Sequence, residues 1–282
     1  MPELPEVETL RRELERALVG QTFKSIRVLA PASIRPLATR SFTQRLKNKS
    51  ITAVSRRAKM LFLHLDSAER LAIHLKMTGQ LIFRPAQGKI IVGGHPENPD
   101  KYTRAIFRFA HGDQLLFNDL RRFGWLKIIN QEIFESLDRA IGPEPLGRQF
   151  SSERFARILQ RYPGRSIKQA LLDQTLIAGV GNIYADESAA RARLRPTRRI
   201  KTLNRADKTR LYHALRLVLR LAIARGGTSA KNYLRSNGRP GGFVPQLLVY
   251  GRADAPCKQC GKKVKKIRHA GRGTHYCPHC QK

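Results

Sequence analysis

The sequence predicts an α+β protein of several domains: an N-terminal β-sandwich led by a helix, a helical domain, and a small C-terminal β-hairpin. Three observations predict it. Short alternating or β-branched runs recur through residues 22–129, stretches with helical spacing fill 151–225, and all four cysteines lie beyond residue 256. A chain of 282 residues has length enough for more than one hydrophobic core.

The elements follow in order. From Pro5, the apolar positions Val7, Leu10, Leu14 and Leu18 recur at three- and four-residue spacing, so residues 3–18 read as a helix. A proline in the first turn is tolerated because its missing N–H has no partner to lose there. The runs TFKSIRVL, SITAVS, MLFLHLD, RLAIHL, QLIF, RAIFRFA, QLLFN and WLKII, broken by turn signals such as His111-Gly112-Asp113, form the pattern of a sandwich or barrel. The stretch 141–151, IGPEPLGRQFS, gathers glycine and proline and marks a boundary, which places the first domain at 1–135 and a linker at 136–150.

Beyond the linker, SSERFARILQRY, SIKQALLDQ, NIYADESAARAR and RADKTRLYHALRLVLRLAIAR carry helical spacing, with Ser151 or Ser152, Ser166 and Asn182 as N-caps. Residues 226–246 are rich in glycine and basic residues and suit a long loop over a ligand. The helical domain with this loop is placed at 151–246 and the hairpin at 247–282.

Lys and Arg number 54 against 21 Asp and Glu, a formal charge of +33. A charge of this size calls for a polyanion, and 41% hydrophobic residues argue against a disordered basic tail. A folded, monomeric nucleic-acid binder is expected. No stretch reaches the roughly 20 apolar residues of a membrane span, and the N-terminus is acidic and amphipathic where a signal peptide would be basic and then apolar. The expected location is cytoplasmic, with no membrane partner.

The spacing Cys257-x2-Cys260-x16-Cys277-x2-Cys280 puts two thiol pairs on two knuckles, each supplying half of a tetrahedral Zn2+ site. Two disulfides or four unligated thiols are the alternatives, and a reducing compartment disfavours the first. Four cysteine ligands leave no open position for water, so one zinc would be structural and the chemistry elsewhere. His269, His275 and His279 are expected to be bystanders. Basic residues crowd the hairpin and acidic ones are missing from 257–282, which suits phosphate contact.

Removal of Met1 would expose the secondary amine of Pro2, beside Glu3 and at the start of a helix. The positive end of the helix dipole disfavours an ammonium ion, and Glu3 opposes that in part. A secondary amine attacking a sugar C1′ forms an iminium ion that acidifies the C2′ proton, which couples base loss to strand scission. On composition alone, however, Met-Pro-Glu before a helix means only helix initiation.

PELPEVET at 2–9, RRAK at 56–59, RRFG at 121–124, GVGNIYADE at 179–187 and the terminal RGTHYCPHCQK together resemble the formamidopyrimidine-DNA glycosylases of the Fpg/Nei family. The motifs agree in order and span essentially the whole chain. The resemblance implies a β-sandwich, a helix-two-turn-helix domain and a zinc finger, with double-stranded damaged DNA bound in a cleft between domains. It implies that Pro2 is the Schiff-base nucleophile, Glu3 a proton donor or acceptor, Glu6 a supporting carboxylate, and Lys59 a phosphate or proton-transfer lysine. Without the resemblance, Lys59 would be a solvated strand end.

The resemblance further implies that Met77, Arg121 and Phe123 fill the void left by an extruded base. Alone, Met77 would read as a core methionine. Phosphate contacts fall to Lys168, Asn182 and Tyr184, with Arg272 reaching the same backbone from the zinc hairpin. In GVGNIYADE the glycines allow close backbone approach, and a helix starting at Asn182 aims its dipole at an anion.

PELPEVET and the segment 226–246, matched to a lesion-capping loop, imply oxidised purines as substrates, 8-oxoguanine and formamidopyrimidines, removed with β,δ-elimination. An endonuclease VIII-like enzyme for oxidised pyrimidines and a non-catalytic zinc-finger DNA-binding protein are the alternatives. Lys76 stands where many relatives have glycine, Leu120 where many have proline, and residues 88–101 include an apparent Gly/Pro-rich insertion.

Overall fold

The first helix, α1 (Leu4–Leu18), buries Val7, Leu10, Leu14 and Leu18, the stripe its sequence spacing predicts. A computed structural model describes residues 1–87, 101–229 and 232–282, so the insertion at 88–101 lies outside the described residues except for Lys101. The described chain divides into two units, one of residues 1–138 with 225–242, the other of 139–224 with 243–282.

In the first unit α1 is followed by β1 (Phe23–Val28), α2 (Thr39–Leu46), β2 (Ile51–Arg57), β3 (Met60–Leu65), β4 (Arg70–His74), β5 (Gly79–Arg84), β6 (Thr103–Phe109), β7 (Gln114–Asp119), β8 (Trp125–Ile129) and α3 (Gln131–Arg139). The strands make two antiparallel sheets, ordered β1-β6-β7-β5 and β2-β3-β4-β8. Alternate residues turn inward: Leu61, Leu63 and Leu65 from β3, Ala105, Phe107 and Phe109 from β6, Leu115 and Phe117 from β7 all join one buried cluster with α1. This is the sandwich that the period-2 runs predict.

The helices α2 and α3, of eight and nine residues, are not among the elements expected from the sequence. Phe42 and Leu46 are the buried residues of α2, and α3 has none. Each helix spans little more than two turns, too short a stretch for apolar spacing to separate a helix from other structure.

The glycine-rich residues 225–242 sit in the first unit, although their place in the sequence joins them to the helical segment 151–246. The Phe83 N–H donates to the Ser236 carbonyl, extending the free edge of β5, and the Gln80 side chain donates to the Asn232 carbonyl. Leu234 packs on Ile82, Ile106 and Leu116, which face away from the sandwich core. Pairing across some 150 residues of sequence leaves no periodicity to read.

The second unit contains α4 (Ser152–Gln160), α5 (Ile167–Leu172), α6 (Asn182–Arg191), α7 (Arg205–Ala224), β9 (Lys265–His269) and β10 (Arg272–Tyr276). Ser151 caps α4 by accepting the Arg154 N–H at 3.2 Å, and Ser166 forms a capping box with Gln169. The cap of α6 is Gly181, not Asn182, which is the first helical residue. The helix α7 packs on α4 and α6, and Phe150, Phe155 and Tyr212 meet in an aromatic cluster. Among the described residues no helix is long and apolar enough to cross a membrane.

Candidate active site and nucleic-acid interface

In the first unit the chemistry-bearing residues gather at the start of α1. Pro2 is buried, and Glu3 and Glu6 are only 2% and 1% exposed. Glu6 accepts the Glu3 backbone N–H at 2.8 Å on one oxygen and the Thr228 N–H at 2.7 Å on the other. The first turn of a helix leaves N–H groups unpaired and carries partial positive charge, which explains why buried carboxylates are tolerated here. Both oxygens of Glu6 are engaged by backbone, so it holds the site together.

Lys59 is 7% exposed and lies in the two-residue turn between β2 and β3, after Ala58 at φ +51°. Arg56 ties this turn to α1 by donating to Glu8 at 3.1 Å and to the Ala58 carbonyl at 2.9 Å. Burial works against the charge on Glu8, but hydrogen bonds from Arg11, Arg12 and Arg56 hold its carboxyl below the usual range. His74 stands across the ladder from Met60, next to Lys59 in sequence. Burial first, then the nearby charges of Lys76 and Lys59, push its imidazole down to about 3. The neutral ring accepts the Lys76 N–H on Nδ1 at 2.9 Å. Lys76 itself has φ +49°, a left-handed backbone that explains why glycine suits this position. The sequence expectations omit His74, although a histidine three residues before Met77 at a strand end was the available signal.

Two loops of the same unit carry the wedge candidates. Met77 and Phe123 are 38% and 53% exposed, and the Arg121 guanidinium lies 4.7 Å from the Phe123 ring centroid. The fully buried Asp119 ties the loops together: it accepts the Gly124 N–H at 2.6 Å and the Thr78 hydroxyl, which in turn accepts the Arg121 N–H at 2.9 Å. A Cβ at Gly124 would stand 2.8 Å from the Phe117 ring, so the turn requires glycine.

In the second unit Lys168 is fully buried and donates to Asp186 at 2.7 Å and to the Gly273 carbonyl at 2.8 Å. Asn182 donates to the same carbonyl at 3.1 Å. Asp186 accepts the His275 N–H at 2.9 Å, and Glu187 accepts the backbone N–H groups of Leu248, Val249 and Tyr250. The α5–α6 region thereby grips the hairpin. Tyr184 is also fully buried, its ring 6.2 Å from that of Phe243. Phosphate contacts are expected of Lys168 and Tyr184, and in this structure both side chains are fully buried, Lys168 paired with Asp186 and Tyr184 packed near Phe243. Arg272 is exposed at the start of β10. His275 does structural work on Asp186, a role its sequence position did not announce.

The four cysteine sulfurs lie within 4.8 Å of one another. Cys257 and Cys280 are 4.0 Å apart, Cys260 and Cys277 3.6 Å. Tetrahedral Zn–S bonds of about 2.3 Å require sulfurs roughly 3.8 Å apart, and four thiolates are a donor set zinc favours. The cysteines form no disulfide. The site fits one structural Zn2+, and the small cluster of Ala190, Val249, Val264, Cys257 and Cys277 beneath it is too slight to fold a hairpin alone.

Three family models match along the chain: the formamidopyrimidine-DNA glycosylase N-terminal domain over residues 1–126, the H2TH domain of the same enzymes over 141–233, and the zinc finger found in FPG and IleRS over 255–282. The chain belongs to the formamidopyrimidine-DNA glycosylase family. Among family members, the "Formamidopyrimidine-DNA glycosylase" of Heliobacterium modesticaldum is 42% identical over 286 residues, covering all of both chains. A Lactococcus lactis FPG variant in complex with Fapy-dG-containing DNA is 34% identical, with a TM-score of 0.88 and full coverage of both chains. The Lactococcus lactis Fpg bound to DNA with an abasic site is 35% identical, with the same TM-score and 99% of each chain covered. The family plan of sandwich, H2TH helices and zinc finger is the one these elements build.

Proposed function

We propose that the chain is a bifunctional DNA glycosylase and AP lyase that excises oxidised purines, 8-oxoguanine and formamidopyrimidines, from duplex DNA. The observation that carries this is the start of α1, where Pro2 adjoins Glu3 and Glu6, both buried and braced by backbone hydrogen bonds. The relatives' name, and the Fapy-dG and abasic-site DNA held by the Lactococcus lactis proteins, support the substrate class.

With Met1 removed, the Pro2 nitrogen attacks C1′ of the damaged nucleotide. The base leaves with the electrons of the glycosidic bond and takes up a proton. Glu3 exchanges a proton as the sugar ring opens and an iminium forms between Pro2 and C1′. Loss of the C2′ proton then expels the 3′ phosphate, and a second elimination expels the 5′ phosphate. Glu6 braces Glu3, and Lys59 supplies a charge for phosphate or proton transfer beside His74. Met77, Arg121 and Phe123 fill the gap in the stack. Arg272 and Asn182 face the phosphate backbone, while Lys168 and Tyr184 act on that surface through packing. Catalysis thus falls to segment 1–135, and DNA gripping to the helices of 151–224 and the finger of 247–282.

Borohydride reduces an iminium to a stable amine. Treatment of the protein with duplex containing 8-oxoguanine opposite cytosine is expected to yield a covalent adduct, and Pro2→Gly none. No adduct with the parent protein would overturn the proposal.

A further inference from the structure

The helix α1 is covered on two sides. Its apolar stripe enters the sandwich core, and Glu6, Thr9 and Glu13, spaced three and four residues apart, form a polar stripe where a surface helix would ordinarily meet water. That stripe carries the described residues of 226–238 instead. Glu6 accepts the Thr228 N–H at 2.7 Å, and the Tyr233 hydroxyl donates to the Glu6 carbonyl at 3.3 Å. Glu13 accepts Arg235 Nε–H at 2.6 Å on one oxygen, and on the other both the backbone N–H and the hydroxyl of Ser236, at 2.9 and 2.8 Å.

Two carboxylates about 10 Å apart along one helix therefore hold the two ends of one strap. Burial, and the charges of Glu6 and Glu13 beside it, push the Tyr233 phenol well above its ordinary range, which keeps it a neutral donor. Gly227 has φ +86°, and a Cβ there would stand 2.9 Å from the Tyr233 ring and 3.0 Å from the Glu6 carboxylate. The chain enters the clamp where only glycine fits.

An exposed ion pair contributes little to stability, but the Glu13 side chain is only 16% exposed and takes three donors, one of them backbone. Such a carboxylate fixes a chain position. Its counterpart Glu6 also accepts the Glu3 N–H, so the strap's first post is joined by one side chain to the residue beside Pro2.

Resting on the glycosylase function proposed above, we infer that Glu13 is a positioning residue for lesion selection: together with Glu6 it sets where the strap lies on α1, and so which damaged base is excised. An abasic sugar carries no base for a strap to recognise. Incision at a preformed abasic site needs the amine and its proton donor, whereas excision of a damaged base needs the strap as well.

The test is the ratio of two single-turnover rates measured on the same zinc-loaded preparation: excision of 8-oxoguanine, and incision of a preformed abasic site in the same duplex. Glu13→Ala is expected to lower excision about tenfold or more, the factor that loss of one charged hydrogen bond brings, while abasic incision changes less than about twofold. Glu13→Gln, which keeps shape and one acceptor, is expected to fall between. Amide hydrogen exchange at Ser236 should accelerate in both variants, and at Thr228 it should not. If both rates fall together, or neither falls, the inference is overturned while the glycosylase function stands. A parent protein that incises the abasic site but leaves every damaged base in place would overturn the function instead. Should Glu13→Ala fail to fold, the ratio for Glu13→Gln decides alone.

Discussion

At the scale of single residues, His74 shows how a neighbourhood sets a charge state. Its imidazole titrates at about 3, because burial and then Lys76 and Lys59 penalise the cation. An unfolded chain would bind the proton near 6.5. Between those pH values the unfolded state therefore holds a proton that the folded state refuses, so the stability His74 contributes is complete above about pH 6.5 and is lost as pH falls toward 3. Between pH 7 and pH 5 the loss is at most about 2 kcal/mol. Denaturant unfolding at those two pH values should show His74→Gln losing that much less than the parent protein; equal losses would mean that His74 is not the titrating group. The cysteines are legible in sequence because their spacing alone outlines the metal site, whereas the roles proposed for Pro2 and Glu3 come from a motif shared with the family and not from the residues' own pattern. Lys168 is not legible in sequence, since a lysine reads as a surface charge until Asp186 and Gly273 are seen to enclose it.

At the scale of elements, the grip of α5 and α6 on the zinc hairpin rests on that buried pair. Lys168 and Asp186 are both fully buried, and Asp186 also receives the His275 N–H. Lys168→Met would leave a buried carboxylate without its cation, a change that costs about 3–5 kcal/mol when one partner of a buried pair is lost. Chemical denaturation of the zinc-loaded protein should report a loss of that size. Were Lys168 instead a phosphate contact, stability would be unchanged and the salt slope of DNA binding would drop by about one. The same scale explains what periodicity could and could not reveal. The strands β1–β8 fall on the alternating or β-branched runs of the sequence, and the long α7 falls on a stretch of helical spacing. The strap at 225–242 was legible as a loop but not in its attachment, because Ser236 on the edge of β5 and Leu234 on the outer sheet face are contacts between segments far apart in sequence.

At the scale of the whole molecule the dominant quantity is the charge of +33. Binding to duplex DNA releases condensed counterions for each phosphate neutralised, so affinity falls linearly with salt on logarithmic axes, by on the order of 10³–10⁵ between 50 and 200 mM for six to ten phosphates. Phosphate contacts do not distinguish a damaged duplex from an intact one, whereas in the proposed function Met77, Arg121 and Phe123 would address the base stack and, by the further inference, the strap would address the lesion. The two kinds of contact separate in a salt series. Fluorescence anisotropy with Pro2→Gly, which binds without turnover, should give the same slope for 8-oxoguanine and undamaged duplexes, displaced by a constant ratio. Arg272→Ala should reduce both slopes by about one and leave the ratio unchanged, because a single phosphate contact is lost from each complex alike. A ratio that collapses as salt rises would mean that recognition of the lesion is itself electrostatic, and would move the basis of specificity from the wedge and strap to the basic surface.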